Sequence, residues 1–337
     1  MIETRLERRC PKGESLEPLI RVLALKKYFH TAKSVGTSRT EIIKAVDGIS
    51  FDIFRGESFG LVGESGSGKS TTGRCVLGLM PALGHVYFDG RDILALKEKE
   101  LRRLRRKMQI IFQDPFSSLD PRRTVGQTVE EAMDIHHLFP GKTERRKRVM
   151  DLLEKVGMGR QEYVDRYPHE FSGGQQQRIG IARALAVEPR FIVADEPVSS
   201  LDVSIQAQIL NLLKRLQEDL QLTYLIIAHN LAVVKYTCQR VGVMYLGKLM
   251  EIADIETLFS SPAHPYTRAL LSAIPVPNPD LKREEIILGG DIPSPINLPS
   301  GCRFHTRCYM RSPWCETHEP ELVETTAGHF VACPFSG

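Results

Sequence analysis

A glycine-rich run that begins at residue 63 holds the first residues able to do chemistry. Residues 63–70 read GESGSGKS and match the G-x-x-x-x-G-K-[ST] pattern without a mismatch. Glycines let successive backbone N–H groups turn inward around a phosphate, and a helix that starts there adds a favourable dipole. Lys69 supplies a point charge for the β- and γ-phosphates, and the Ser70 hydroxyl is a ligand for Mg²⁺. The predicted phosphate-binding residues are Gly63, Glu64, Ser65, Gly66, Ser67, Gly68, Lys69, Ser70 and Thr71.

Two adjacent carboxylates supply the second chemical element. The apolar run 191–194 has the composition of a buried parallel strand and leads into Asp195 and Glu196. Asp195 suits coordination of Mg²⁺ through water, and Glu196 suits orienting or deprotonating an attacking water. Alone, two acids after a strand are more often the cap of a helix. Together with the phosphate-binding run, they predict a hydrolase of nucleoside triphosphates.

A second candidate anion cradle lies between these two elements. Residues 171–178 read FSGGQQQR, in which a serine and two glycines open a helix and offer a hydroxyl and N–H groups to a γ-phosphate. This run resembles the signature motif of ABC ATPases, with Phe171 where leucine is more common. The resemblance implies that Ser172, Gly173, Gly174 and Gln175 close over the nucleotide of a second, facing subunit. A plain serine cap with glycines is the alternative.

Four further motifs stand in the order expected of the same family. Gln113 resembles the Q-loop glutamine, which senses Mg²⁺ and the γ-phosphate, and Asp202 resembles the D-loop aspartate at the dimer interface. His229 resembles the switch histidine that contacts the γ-phosphate, although Asn230 follows it where aspartate is common. Near the start of the chain, Phe29 is favoured over Tyr28 as the ring that stacks on adenine. The resemblance makes Glu196, His229 and Lys69 the catalytic residues, with Ser70, Gln113 and Asp195 around Mg²⁺.

Sequence runs outside these motifs narrow the resemblance to one branch of the family. The runs YPHE at 167–170, DVSIQAQ at 202–208 and HPYTRAL at 264–270 are similar to those of oligopeptide/dipeptide permease ATPases. The resemblance implies an ATP-hydrolysing subunit of an importer, paired with a similar or identical ATPase beneath two membrane permeases. An extracytoplasmic solute-binding protein would deliver the cargo. Sugars or nickel complexes are alternative cargoes within the family.

Four cysteines crowd into the last part of the chain, at Cys302, Cys308, Cys315 and Cys333. They are separated by longer intervals than the tight pair usual in structural zinc sites, and Pro334 follows the last one, as in ferredoxin-type runs. The family resemblance also favours a [4Fe–4S] cluster here. Zinc is the second expectation and unliganded thiols are the third.

Composition agrees with a soluble globular protein. The chain has 337 residues, with 42% hydrophobic and 26% charged residues and a formal net charge of +4. No apolar run approaches the roughly 20 residues of a membrane span, and the first residues lack the apolar core of a signal peptide. We therefore expect the chain to remain in the cytoplasm, and the family resemblance implies a peripheral position on the cytoplasmic face of the cell membrane. The mild charge gives no reason to expect a nucleic-acid partner.

The elements that position these motifs alternate between short apolar runs and helical patterns, which indicates an α/β fold built on βαβ units. The family resemblance implies a P-loop ABC-type domain over 19–262, with a RecA-like core, an antiparallel β subdomain and a helical subdomain at about 115–185. Residues 1–18 are expected to be a loose tail, and 263–337 a Cys-rich extension. Predicted strands are 49–54, 58–62, 108–112, 191–194, 224–228 and 241–246. Predicted helices cover 70–80 and 143–156 and follow Gly174, Asp202 and Asn230.

Two rival classes of ABC protein fit the sequence less well. A DNA-repair or chromosome-organising ATPase would place a long coiled coil between the phosphate loop and the signature, and no sustained heptads occur there. A translation-associated protein normally carries two cassettes in one chain, whereas this chain has one set of motifs. A redox or sensor protein that uses ATP only as a switch is disfavoured because Glu196 and His229 are both present.

Overall fold

The computed structural model describes residues 17–30, 41–274 and 285–335. The chain divides into two compact units. Unit 1 contains residues 1–54, 59–95 and 229–337, and unit 2 contains 55–58 and 96–228. The predicted N-terminal tail lies outside the described residues except for its last two positions. The residues after 262 belong to unit 1.

An antiparallel sheet in unit 1 is built from the first part of the chain. Its strands are β1 (Ile20–His30), β2 (Ile42–Ile53), β4 (Leu83–Phe88) and β5 (Arg91–Asp92), in the order β2-β1-β4-β5. The register between β1 and β2 shifts around Leu25 and again after Lys27, so the pairing is bulged. Bulges break strict alternation, which explains why β1 was not assigned as a strand from its sequence. Its buried side chains include Val22 and Leu25.

A second set of strands in unit 1 carries the phosphate-binding run. In order across the sheet they are β11 (Val323–Thr326), β12 (His329–Val331), β10 (Lys248–Asp254), β9 (Arg240–Tyr245) and β3 (Ser58–Val62). Strands β3 and β9 are parallel, and the other pairs are antiparallel. The helices of this unit are α1 (Lys69–Val76), α8 (Leu231–Thr237), α9 (Ile255–Ser260), α10 (Pro265–Ser272) and α11 (Pro313–Thr317).

Unit 2 combines three parallel strands with most of the helices. The strands β6 (Met108–Ile111), β7 (Phe191–Asp195) and β8 (Thr223–Ala228) pair in register, β6 with β7 and β7 with β8. All residues of β7 and β8 are buried, as their continuous apolar sequences require. The helices are α2 (Glu98–Arg105), α3 (Pro115–Ser118), α4 (Val125–Ile135), α5 (Lys142–Lys155), α6 (Gly173–Leu185) and α7 (Val203–Leu220).

The six predicted strands are all present, with ends that differ by one residue or less except in β2, which begins earlier at Ile42. The helix predicted over 70–80 was too long, because α1 ends at Val76. Gly78 has φ of 62° and its N–H bonds to the Cys75 carbonyl, so the chain turns out of the helix there. Among the described residues, no helix is long and apolar enough to cross a membrane.

Candidate nucleotide-binding site

The phosphate-binding run forms the loop between β3 and α1 in unit 1. Gly63 has φ of 151°, and a Cβ added there would lie 2.0 Å from the Met244 carbonyl oxygen. Gly68 has φ of 104°, and an added Cβ would lie 2.0 Å from the Ala45 carbonyl oxygen. Only glycine fits such positions, where φ is positive and another backbone approaches closely. The loop is therefore wedged against two neighbouring segments and has a defined shape.

Lys69 places its ammonium group inside this loop. The Nζ atom donates to the carbonyl oxygen of Gly63 at 2.8 Å and to that of Glu64 at 2.9 Å, and the residue is 4% exposed. The N–H of Ser67 donates to the same Glu64 carbonyl at 3.2 Å. Ser70 and Thr71 follow in the first turn of α1. A buried cation at the start of an eight-residue helix, next to a loop of backbone N–H groups, is a site for an anion such as a phosphate.

The two predicted carboxylates lie at the carboxyl end of β7 in unit 2. Asp195 is 2% exposed and ends the strand. Glu196 follows with φ of 45°, in the left-handed region, and its N–H donates to the Ile227 carbonyl at 3.0 Å. A non-glycine residue held in this region costs energy and is found preferentially at functional sites. Gln113, from the segment after β6, donates from Nε2 to Glu196 Oε2 at 3.0 Å. Two of the predicted site residues are thus in direct contact.

The signature run begins α6, also in unit 2. Ser172 is the N-cap residue, and its N–H donates to Gln175 Oε1 at 3.0 Å while its hydroxyl lies 3.2 Å from the same oxygen. Gly173 and Gly174 form the first turn. Asp202 is the exposed N-cap residue of α7. The local geometry therefore presents a serine hydroxyl and two glycines at the start of a helix, as the sequence predicted.

Sequence reasoning missed a residue that joins these parts of unit 2. The buried side chain of Gln177 donates from Nε2 to the Pro197 carbonyl at 2.9 Å, so α6 is tied to the segment just after Glu196. In the sequence, Gln177 is distinguished only as part of the signature run. A glutamine on the apolar side of a helix was the signal that could have found it.

The remaining predicted nucleotide contacts lie in unit 1. His229 is exposed and precedes α8, and Asn230 caps that helix by accepting a hydrogen bond from the Ala232 N–H at 2.8 Å. Asparagine caps a helix as well as aspartate does. Asn230, which stands where aspartate is common in the family, therefore keeps the capped start of α8 after His229. At the end of β1, the Tyr28 hydroxyl donates to Asp47, and the Lys27 ammonium lies 5.0 Å from the centroid of the Phe29 ring.

The four C-terminal cysteines line one small cavity. None of them is in a disulfide. Burial raises the pKa of the Cys302 thiol to about 11, and the three other cysteines push it in the same direction. Within the part of the chain that the structure describes, no three His, Cys, Asp or Glu side chains come close enough together to hold a metal ion. The [4Fe–4S] cluster, and zinc as its alternative, stay predictions.

Family models match two stretches of the chain. A model described as ABC transporter matches residues 46–199, and one described as oligopeptide/dipeptide transporter, C-terminal region, matches residues 250–315. A protein of Brucella ovis whose name assigns it to peptide import is 56% identical over 317 residues, covering 94% of this chain and 97% of that protein. The chain belongs to the ATP-binding subunits of the oligopeptide/dipeptide permease family of ABC transporters.

Other members of this ABC family match along the same length. The oligopeptide transport ATP-binding protein OppF of Bacillus subtilis is 52% identical over 319 residues, and AppF of the same organism is 49% identical over 321 residues. Each alignment covers 94% of this chain and at least 96% of the relative. Among solved structures, an ATP-binding cassette in a dimeric post-hydrolysis state with ADP and phosphate is 30% identical, with a TM-score of 0.62. The structural alignment covers 70% of this chain and 98% of that cassette.

Proposed function

We propose that this ABC subunit binds and hydrolyses ATP to power an importer, with oligopeptides or dipeptides as its cargo. The observation that carries the proposal is the full-length similarity to oligopeptide transport ATP-binding proteins, which includes the C-terminal region of 250–315. A generic ABC cassette would match only the first of the two family models. The similarity to a cassette solved with ADP and phosphate supports the hydrolytic activity.

The phosphate-binding loop of unit 1 holds the triphosphate in this proposal. The backbone of residues 63–71 and the Lys69 ammonium bind the β- and γ-phosphates, and an aromatic ring at the end of β1, Phe29 with Tyr28 as the alternative, stacks on adenine. Lys69 and His229 offset the negative charge that develops on the transferring phosphoryl group. His229 is assigned to this role by its place in the family's motif order.

The acidic end of β7 supplies the hydrolytic step. Glu196 accepts a proton from the attacking water or orients it in line with the γ-phosphate, and the Gln113 amide fixes the direction of the Glu196 carboxylate. Asp195, Gln113 and the Ser70 hydroxyl are oxygen donors of the kind that Mg²⁺ prefers, and they would hold it. When bound, Mg²⁺ neutralises part of the phosphate charge. Family membership supports assigning these residues and the phosphate-binding loop to the same nucleotide.

The signature run acts on a second subunit's nucleotide in this proposal. Ser172, Gly173, Gly174 and Gln175 face the γ-phosphate held by another ABC ATPase, which is similar or identical to this chain, and Asp202 lies at the contact between them. The pair works on the cytoplasmic face of the cell membrane, beneath two permeases that receive cargo from a solute-binding protein. No nucleic acid takes part.

We further propose that Cys302, Cys308, Cys315 and Cys333 hold a [4Fe–4S] cluster, with zinc as the alternative. The proposal is supported by the four thiols, which line one cavity. The long intervals between the cysteines and the proline after Cys333 place the cluster ahead of zinc, whose structural sites usually contain a tight cysteine pair. The bound group would tie the loop-rich C-terminal residues together. Quantifying iron, acid-labile sulfide and zinc in anaerobically purified protein decides between them.

The function is tested by isolating the chain from its native membranes under gentle, anaerobic conditions and identifying the proteins that accompany it. Two permeases and a solute-binding protein are the expected result, and the ligand of that binding protein then identifies the cargo as a peptide, sugar or nickel complex. Ribosomal or DNA-associated proteins in their place would contradict the transport function and leave only the ATPase chemistry.

A further inference from the structure

Glu64, the second residue of the phosphate-binding loop, makes its contacts with the C-terminal part of the chain. Its carboxylate accepts two hydrogen bonds from the Arg307 guanidinium, from Nη1 at 2.7 Å and from Nη2 at 3.1 Å. Its backbone N–H donates to the Tyr266 hydroxyl oxygen at 3.0 Å. One loop residue is therefore held from two sides by residues that lie 202 and 243 positions further along the chain.

The position of Glu64 determines the internal bonding of the loop. Its carbonyl oxygen accepts hydrogen bonds from the Lys69 ammonium and from the Ser67 N–H. Any rotation of the Glu64 peptide would move the acceptor that holds the ammonium of Lys69. The C-terminal part of the chain therefore contacts the same residue, Glu64, whose carbonyl oxygen holds the Lys69 ammonium.

The groups that hold Glu64 are themselves fixed by a buried aromatic cluster. The rings of Tyr245 and Tyr266 have centroids 4.8 Å apart, and that of Phe304 lies 5.4 Å and 5.2 Å from them. The Arg307 guanidinium lies 5.9 Å from the centroid of the Tyr245 ring, and the Arg307 side chain is only 9% exposed. A bidentate arginine–carboxylate pair with so little exposure is orientationally specific and is screened less by solvent than a surface pair.

The same C-terminal segment reaches a second element next to the nucleotide site. Arg303 forms a buried ion pair with Asp47, and Asp47 also accepts the hydrogen bond of the Tyr28 hydroxyl at the end of β1. Arg303 follows Cys302, and Arg307 precedes Cys308. The segment 302–308 is thus joined to the phosphate-binding loop and, through Asp47, to the end of β1.

We propose that Arg307 and Tyr266 are positioning residues for ATP binding, because through Glu64 they hold the phosphate-binding loop in the shape that accepts the β- and γ-phosphates. In this proposal both residues act on the nucleotide through Glu64. The inference rests on the proposed function and extends it: the C-terminal segment and the nucleotide site are energetically coupled. Such coupling is reciprocal, so ATP also stabilises the segment 302–308.

The test compares Arg307→Gln with Arg311→Gln in the full chain. Arg311 is an exposed arginine three residues after this segment. Its side chain makes no hydrogen bond or ion pair within the described residues, which makes it a matched control. We expect Arg307→Gln to raise the KM for MgATP about tenfold, within the range of coupling between sites, while kcat changes little. Loss of binding contacts that are equal in the ground and transition states changes KM and leaves kcat unaltered. Arg307→Lys, which keeps the charge without the two-pronged geometry, should restore part of the affinity.

A purely structural role for Arg307 gives a different pattern. It would lower the melting temperature and the fraction of active protein, and so the apparent kcat, with the KM for MgATP unchanged; that result would overturn the proposal. In the Glu64→Gln background, Arg307→Gln should add little to the effect, because the charged pair that uses both carboxylate oxygens is already lost. Additive effects on KM would also contradict it. If the unaltered chain neither binds nor hydrolyses MgATP, the proposed function itself fails.

The stabilisation of the segment 302–308 by ATP can be measured on the unaltered protein, so this test does not require a variant to fold. Hydrogen exchange is followed at residues 302–308 with and without saturating MgATP. We expect ATP to slow exchange in this segment, and to do so much less in the Arg307→Gln variant at saturating ATP. Identical exchange of the unaltered protein in both conditions would overturn the proposal.

Discussion

Gln113 and Glu196 are 83 positions apart in the chain, yet the Gln113 side-chain amide donates to the Glu196 carboxylate at 3.0 Å. Their adjacent parallel strands, β6 and β7, end at the same edge, so the segments that follow the two strands meet there. Open α/β sheets bind ligands at this edge. The contact helps to set the direction of the proposed water-orienting carboxylate.

Replacing Glu196 by glutamine removes the proposed base and keeps the shape of the side chain. We expect Glu196→Gln to bind MgATP with unchanged affinity and to lose roughly 10²–10⁴-fold in turnover, the usual contribution of a general base. Equilibrium binding and phosphate release, measured on the same preparation, separate the two effects. Turnover like that of the unaltered chain would remove Glu196 from its role.

Removing the Gln113 amide takes away one hydrogen bond that orients the Glu196 carboxylate. Gln113→Ala should lower kcat by about tenfold or more, because a misplaced catalytic group reacts slowly even when it is present. Gln109→Ala is the control: Gln109 lies in the same strand, β6, and its amide donates to the Arg105 carbonyl at 2.7 Å. If the two variants show equal turnover, the contact with Glu196 has no catalytic role.

Arg303 and Asp47 form a buried ion pair, with side chains 4% and 10% exposed. Arg303→Gln removes the buried charged partner of Asp47 and leaves the half-exposed Lys44, at 3.9 Å, as its remaining ion pair. The loss should therefore be smaller than the about 3–5 kcal/mol typical of a buried charge left with no partner. We expect a melting temperature clearly below that of the exposed-site control Arg311→Gln. Thermal unfolding of the three proteins in one buffer checks this, and coincident curves for the two variants would show that the ion pair adds no stability.

His264 makes the stability of unit 1 depend on pH. Burial lowers the pKa of this histidine to about 3, so the folded form keeps it neutral while the unfolded chain binds a proton below about pH 6.5. The free energy of unfolding should therefore fall as the pH drops from about 6.5 towards 3, by about 2 kcal/mol at pH 5, and should be insensitive to this group above pH 6.5.

His264→Asn isolates this contribution. The Nδ1 atom of His264 accepts a hydrogen bond from the Tyr266 N–H at the start of α10, and asparagine can cap a helix in the same way without titrating. The variant should lose less stability than the unaltered protein between pH 6.5 and 5 in thermal or denaturant unfolding. Parallel pH profiles would show that other groups dominate the acid sensitivity.

Short sequence runs were enough to predict three parts of the candidate site. The phosphate-binding loop between β3 and α1, the carboxylates after β7 and the serine cap of α6 each follow from a short run with its own backbone requirements. The order of family motifs placed Gln113 and Glu196 at one nucleotide, but it did not predict the hydrogen bond between them. The bulged strand β1 was missed because its alternation is interrupted.

The attachment of Glu64 could not be predicted in this way. Arg307 and Tyr266 lie 243 and 202 positions beyond it, and neither an arginine next to a cysteine nor a tyrosine in a helix indicates a partner so distant. In the sequence, Tyr266 belongs to the run 264–270, which is typical of the family, and nothing else distinguishes it. Contacts of this kind depend on how the strands of unit 1 bring the ends of the chain together, which short-range patterns do not encode.

Reconstituted transport tests the central claim most directly. The ABC subunit, its co-purified permeases and partner ATPase are placed in lipid vesicles with the solute-binding protein, and uptake of a mixed library of short peptides is followed by mass spectrometry. We predict uptake that requires MgATP and is lost when this chain carries Glu196→Gln. ATP hydrolysis by a complete, correctly assembled complex with no peptide taken up would contradict the claim that this subunit powers a peptide importer.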